Sequence, residues 1–264
     1  ARHCNSFKNT LNNNMSKRRT HKNIPKEDLE ELEGWLNKRN VEEDKLFELI
    51  KINVKPRSVN QTKFTESIRK NEITICSGLP GTGKTFLACA EALRAIKNTV
   101  KYKRVVLIKS ITPLKDEEIG HLPGDLKDKM APIMESFTDN IRKIIGKSRL
   151  DKMVELGMIE IVPIAFARGR SIDNSIILID EAQNITLSNI RTLMTRIGDN
   201  SKMVIMGDVK QKDIKRDSSL EIIIKKFNNI EGFGCIELRD PEDIVRNPII
   251  KQIEGVFDSL EEDK

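Results

Sequence analysis

The eight residues Gly78-Leu79-Pro80-Gly81-Thr82-Gly83-Lys84-Thr85 constrain this chain more than any other stretch. They fit G-x-x-x-x-G-K-[ST] throughout, with an apolar run at 73–76 before them and a helical pattern after. A loop of this kind functions where a strand hands the chain to a helix. Its backbone N–H groups curl around phosphate oxygens, and the helix N-terminus adds partial positive charge. Lys84 is then expected to reach the β- and γ-phosphates, and the Thr85 hydroxyl to bind Mg2+. The expected ligand is a nucleoside triphosphate. ATP is favoured over GTP, because no N-K-x-D base-reading motif follows the loop.

Around the loop, short apolar runs alternate with helical stretches. The runs cover 73–76, 105–108, 159–162, 176–179, 203–206 and 235–238, several of them rich in Ile or Val. Short, mostly apolar runs of this kind, each followed by turn-forming, charged or glycine residues, read as buried strands of a parallel sheet. Helices are expected at 85–97, 126–145, 187–197 and 220–227. The fold class is therefore α/β, a doubly wound parallel sheet with ligands at the carboxyl ends of its strands. Before it, Leu29, Leu32 and Leu36 recur at spacings of three and four beside Trp35. Leu46, Phe47, Leu49 and Ile50 suggest a second short helix. The expected organisation is a basic tail at 1–26, a small helical appendage at 27–55 and the main domain at 56–264.

Two further strand ends carry chemistry. The run 176–179 delivers Asp180 to its carboxyl end, where it is expected to hold the Mg2+ shell, and Glu181 follows as the group that polarises water for attack on the γ-phosphate. An acidic pair after a strand can instead cap a helix. Behind this phosphate loop the catalytic reading is the stronger, and it favours hydrolysis over transfer to a second substrate. The run 203–206 ends in Gly207-Asp208, and Gln211 stands three residues on, where a neutral amide could sense phosphate or water. Gln61, seventeen residues before Gly78, is a candidate for reading the adenine edge; the competing reading is a solvent-exposed glutamine.

With 264 residues the chain has room for one good-sized domain plus an appendage, and a core of that size folds without disulfides. Cys4, Cys76, Cys89 and Cys235 form no CxxC pair and have only three histidines to help them, which argues for reduced thiols rather than a zinc module. No apolar run approaches the ~18 residues of a spanning helix, so no membrane span is expected. The net charge of +6 belongs to the tail. Residues 1–26 hold seven lysines and arginines and no acidic residue, which leaves 39 basic against 40 acidic side chains in 27–264. A basic arm attracts phosphate backbones through counterion release; the same composition also suits a solvated tail. The opening Ala-Arg-His-Cys and the later Met15-Ser16-Lys17-Arg18 suggest that residues 1–14 are upstream translation.

Taken together, GLPGTGKT (78–85), LIDEAQN (178–184) and GDVKQ (207–211) resemble superfamily 1 helicases. The whole run resembles the PhoH family of P-loop ATPases more closely, through HLPGDLKDK (121–129), IEIVPIAFARGRS (159–171) and IVRNP (244–248) as well. The likeness extends from Asn60 to Phe257, and the short length resembles the phage-encoded branch. The resemblance implies a RecA-like core, a cytoplasmic location (the host's, if phage-encoded), and ATP hydrolysis coupled to RNA or single-stranded DNA. One departure is Lys109, in a stretch Ile108-Lys109-Ser110-Ile111-Thr112-Pro113 where the family has a Thr-Arg-Pro run; lysine lacks the bidentate fork of arginine.

Superfamily 1 helicases also use arginines of a second RecA-like domain, for which this chain has no room after its one loop. The candidates for an arginine finger are Arg168 and Arg170, flanking Gly169, and Arg246, acting in cis or from a neighbouring subunit of a homo-oligomer or ring. A different class of function fits the neutral core and the 4% aromatic content: an ATP-dependent oligomeric switch or assembly factor without unwinding.

Overall fold

The computed structural model describes Gly34 and residues 40–109, 126–167, 171–209, 219–227 and 229–262. The chain divides into two units, 1–49 and 50–264. In the first, residues 40–49 are helical; the helix expected around Leu29–Leu36 lies outside the described residues, as does the basic tail.

The second unit is built on six strands: β1 (Ile73–Gly78), β2 (Arg104–Lys109), β3 (Ile159–Ile161), β4 (Ser175–Asp180), β5 (Lys202–Gly207) and β6 (Phe233–Leu238). All neighbouring pairs are parallel, in the order β3-β2-β4-β5-β1-β6. Every residue of β1 and of β4 is buried. Helices cover both faces and no position faces water, which is why β4 reads as an unbroken apolar run, while β1 also buries Thr74 and Ser77. Burying each Ile or Leu of β4 contributes about 1.5–3 kcal/mol, which fixes the strand that delivers the acidic pair.

The helices are α1 (Val59–Lys70), α2 (Lys84–Asn98), α3 (Leu126–Ile145), α4 (Lys147–Glu155), α5 (Ile164–Ala167), α6 (Leu187–Met194), α7 (Ser219–Phe227) and α8 (Pro248–Glu262). Three of the longer ones, α1, α4 and α8, are not among the expected helices. Helix α6 stops at Met194 rather than at 197, because the next residues leave the helix to bridge another segment. Ile172 N–H donates to Arg196 O at 2.9 Å, and Ile197 pairs with Ile172.

The chain leaves β1 for β2, on the far side of β4 and β5, and returns through those two strands. The carboxyl ends of β1, β5 and β4 thus stand side by side, the position where an open α/β sheet holds its ligand. Helix α2, which starts at the phosphate loop, is buried along most of its length and carries a buried charge, Glu91. Arg69 meets that carboxylate with two bonds, at 2.7 and 2.8 Å, and Arg94 with a third. Arg94 also donates to the carbonyls of Ile52 and Val54, and Lys97 to that of Ile50 at 2.5 Å. The extended segment leading into α1 is therefore strapped to α2.

Candidate nucleotide site

The phosphate loop lies between β1 and α2 and is held in a curled form by its own groups. Gly81 and Gly83 adopt φ of +75° and +77°, a left-handed conformation that side chains strain to reach. Thr82 is fully buried and its hydroxyl donates to Leu79 O at 2.8 Å. The Lys84 ammonium lies over the loop, donating to Gly78 O at 2.7 Å and Leu79 O at 2.9 Å. Lys84 and Thr85 open α2, so the helix's first free N–H groups point toward the same place.

Thr85 and Asp180 meet across the sheet: the Thr85 hydroxyl donates to Asp180 Oδ2 at 2.9 Å. Asp180 ends β4 and is 7% exposed. Burial, and next the like charge of Glu181, raise its pKa above the usual carboxylate value; the bonds from Thr85 and from the Glu181 N–H, together with Lys109, oppose them. A hydroxyl and a desolvated carboxylate in contact are the donor set Mg2+ takes from a protein, with water and phosphate oxygens completing its shell. The residues present fit that ion. Among the described residues no cluster of three or more His, Cys, Asp or Glu forms a separate metal site.

Glu181 adopts φ +54° and ψ +39°, a left-handed conformation for a side-chain-bearing residue. Such strain persists where the surroundings impose it and is concentrated at functional sites. It precedes the 3-10 turn Ala182–Asn184 without capping it through its side chain, so the capping alternative does not hold for Glu181. Its carboxylate instead accepts a bond from Gln183 Nε2 at 2.8 Å.

Gln61 is only 2% exposed, which corrects the solvent-exposed reading. Its amide is used by the fold. Nε2 donates to Thr82 O at 3.0 Å and to Asp243 O at 3.5 Å, while Oε1 accepts from Arg57 N at 2.6 Å. Gln61 therefore braces the phosphate loop, and its NH2 group could donate to adenine only by giving up one of these bonds.

Arg246 is exposed and adjoins the loop: a β-carbon built at Gly81 would lie 3.2 Å from Arg246 Cβ. Its neighbour Val245 donates its N–H to Gly81 O at 3.2 Å. Arg168, Arg170 and Gln211 lie outside the described residues.

Three side chains near the site carry roles that the residue types alone did not reveal. Lys109 ends β2 in register with Asp180 and donates to Ser136 Oγ of α3 at 3.1 Å. Arg239 follows β6 and reaches Ser77 Oγ, just before the loop, at 3.5 Å. Asp243 is buried and accepts from Ser58 Oγ at 2.5 Å, Asn60 Nδ2 at 3.1 Å and Asp240 N at 3.1 Å. It ties the start of α1 to the segment that carries Arg246. Position was a signal, in that Lys109 and Arg239 each stand at the carboxyl end of an expected strand, and Lys109 was also marked by its departure from the family's Thr-Arg-Pro run.

The family described as PhoH-like protein matches residues 53–258. A PhoH-like protein of Bacillus subtilis is 34% identical over 207 residues, 78% of this chain and 64% of the relative. The protein PhoH of Escherichia coli is 30% identical over 200 residues, 74% of this chain and 56% of its own length. The chain spans about three-fifths of the length of the curated relatives it matches. Among solved structures, the large terminase of a thermophilic bacteriophage aligns with a TM-score of 0.43 at 11% identity, covering 76% of this chain and 50% of the terminase.

Proposed function

We propose that this chain, which belongs to the PhoH-like protein family, binds ATP with Mg2+ and hydrolyses it, and that hydrolysis is coupled to RNA or another single-stranded nucleic acid. The observation that carries the ATPase reading is the contact of Thr85 with Asp180 beside Lys84 and Glu181.

Each group has a task set by its place. The loop N–H groups and the α2 N-terminus hold the phosphate chain. Lys84, already over the loop, exchanges its carbonyl partners for phosphate oxygens and neutralises charge gathering on the β- and γ-phosphates. Thr85 and Asp180 hold Mg2+, which when bound neutralises phosphate charge and orients the γ-phosphate for in-line attack. The Glu181 carboxylate accepts a proton from the attacking water. Arg246, beside Gly81 on the same chain, is the residue we assign as arginine finger, a role worth about 10³–10⁵ in turnover.

The coupling to nucleic acid rests on the helicase-like order of the motifs and on the seven basic residues of 1–26, unaccompanied by any acidic one. The family resemblance supports a cytoplasmic activity. Among the described residues no helix is long and apolar enough to cross a membrane.

The test is steady-state ATP hydrolysis with and without single-stranded RNA at two salt concentrations, repeated with Arg246→Ala. Stimulation that weakens with salt supports the coupling. Hydrolysis indifferent to RNA favours the second reading, a nucleotide-driven switch that assembles with itself or a partner, for which the −1 net charge of 27–264 speaks. An Arg246→Ala protein that keeps its turnover moves the finger to Arg168 or Arg170, acting in cis or from a neighbouring subunit of a ring.

A further inference from the structure

The Glu181 carboxylate does not stand alone. Gln183, 2% exposed, lies between it and the next strand end. Its Nε2 donates to Glu181 Oε2 at 2.8 Å, and its Oε1 accepts the backbone N–H of Asp208 at 3.1 Å. The amide is thereby oriented without ambiguity: turning it over would set its NH2 against an N–H and its carbonyl against a carboxylate. The room for it comes from Gly207. A β-carbon at that position would lie 2.5 Å from Gln183 Oε1 and 3.1 Å from Gln183 N. The turn carrying Gln183 is also held at the start of α7, where Ser219 Oγ donates to Ile185 O at 2.5 Å.

We propose that Gln183 is a positioning residue: it holds the Glu181 carboxylate in its working orientation and makes that orientation depend on the end of β5. Resting on the reading of Glu181 as the water-activating base, the inference goes further by naming what aims the base. Glu181 Oε2 is occupied by the amide, so Oε1 is the oxygen presented to water. The left-handed backbone at Glu181 sets where the side chain starts, and the bond from Gln183 sets where it ends. A shift of the Gly207–Asp208 peptide moves Gln183 Oε1 and, through the rigid amide, the carboxylate. Asp208 therefore has a mechanical route to the hydrolytic step that leaves nucleotide contacts untouched.

The experiment compares Gln183→Met, Gln183→Glu, Gly207→Ala and the double variant Gln183→Met/Gly207→Ala in the full chain. It measures ATP turnover, affinity for a fluorescent ATP analogue and thermal melting. Gln183→Met fills the space without donating or accepting, and is expected to lower kcat about 10²-fold, the cost of a misplaced catalytic group, with analogue affinity kept within about twofold. Gln183→Glu keeps the shape and the acceptor for Asp208 N–H but sets a second carboxylate against Glu181. It is expected to lower kcat with unchanged affinity and decides the matter if Gln183→Met does not fold. Gly207→Ala displaces the amide, so its effect and that of Gln183→Met overlap and the double variant loses no more than the worse single one. Wild-type turnover in either folded Gln183 variant, a loss of affinity that matches the loss of kcat, or single effects that multiply in the double variant would each overturn the inference. Glu181→Gln run alongside separates the two claims. If it is inactive while the Gln183 variants are active, the positioning role alone fails; if it is active, the base assignment itself fails.

Discussion

The hydroxyl of Thr85 donates to Oδ2 of Asp180 over 2.9 Å, across 95 residues of sequence. The bond joins the first turn of α2 to the end of β4 and draws the two expected Mg2+ ligands together. Thr85→Val, which keeps the shape and removes the hydroxyl, is expected to lower kcat/KM about ten- to hundredfold. That corresponds to the ~1.5–3 kcal/mol of a hydrogen bond to a charged group. It should also raise the Mg2+ concentration needed for half-maximal hydrolysis. A titration of rate against Mg2+ checks both, and an unchanged Mg2+ requirement contradicts the assignment.

Asp180 makes the opposite contribution to stability. Burial and Glu181 raise its pKa, so the folded chain binds that proton more tightly than the unfolded chain does. The stability associated with this group is present at low pH and is lost as the pH rises through its titration. Asp180→Asn is therefore expected to melt above the wild type at pH 7 in EDTA, with the gap closing toward acidic pH, while hydrolysis is abolished. Melting curves across pH decide it; a variant that melts below wild type at pH 7 contradicts the sign.

Cys76 in β1 and Cys89 in α2 are free and buried, and burial pushes both thiols well above their ordinary pKa. A thiol held protonated in a core is a poor nucleophile. Both are expected to react with a thiol reagent only as fast as the chain opens. The free, half-buried Cys235 should react sooner. Mass mapping of labelled cysteines over time checks the order.

Asp243 holds the start of α1 against the segment that carries Arg246. Asp243→Ala removes the acceptor of three part-buried bonds, while Asn60 Nδ2 keeps Asp240 Oδ2 at 2.7 Å, and is expected to cost about 1–3 kcal/mol of stability in all. It should weaken nucleotide binding as well, since the carbonyl of the same residue helps hold Gln61 under the phosphate loop. Asp243→Asn, retaining one acceptor oxygen, should lose less of both. Denaturant unfolding and analogue binding on the two variants check the ranking.

The centre of the sheet was legible because its strands are buried on both faces, which leaves unbroken apolar runs, as in Ile176-Ile177-Leu178-Ile179; the edge strands β3 and β6 are only partly buried and carry Glu160 and Glu237. Helix α1 was not legible, since Phe64 and Ile68 are its only buried apolar side chains, too few to show a period. Ser58 caps its start, its side chain accepting from Gln61 N. Helix α8 carries apolar residues at 249, 250, 253 and 256, a helical spacing that begins directly after Pro248 at its first position. Lys84, Thr85, Asp180 and Glu181 could be picked out because a local motif defines each. The roles of Lys109, Gln183 and Asp243 depend on which strands and segments become neighbours, and that information is in the register, not in any single stretch.

The measurement that bears most directly on the whole account is single-turnover ATP hydrolysis by wild type, Glu181→Gln and Lys84→Ala, with analogue affinity measured on the same preparations. The account predicts that Glu181→Gln binds ATP and Mg2+ like wild type yet nearly stops turning over, whereas Lys84→Ala loses nucleotide binding itself. Turnover by Glu181→Gln at the wild-type rate would contradict it.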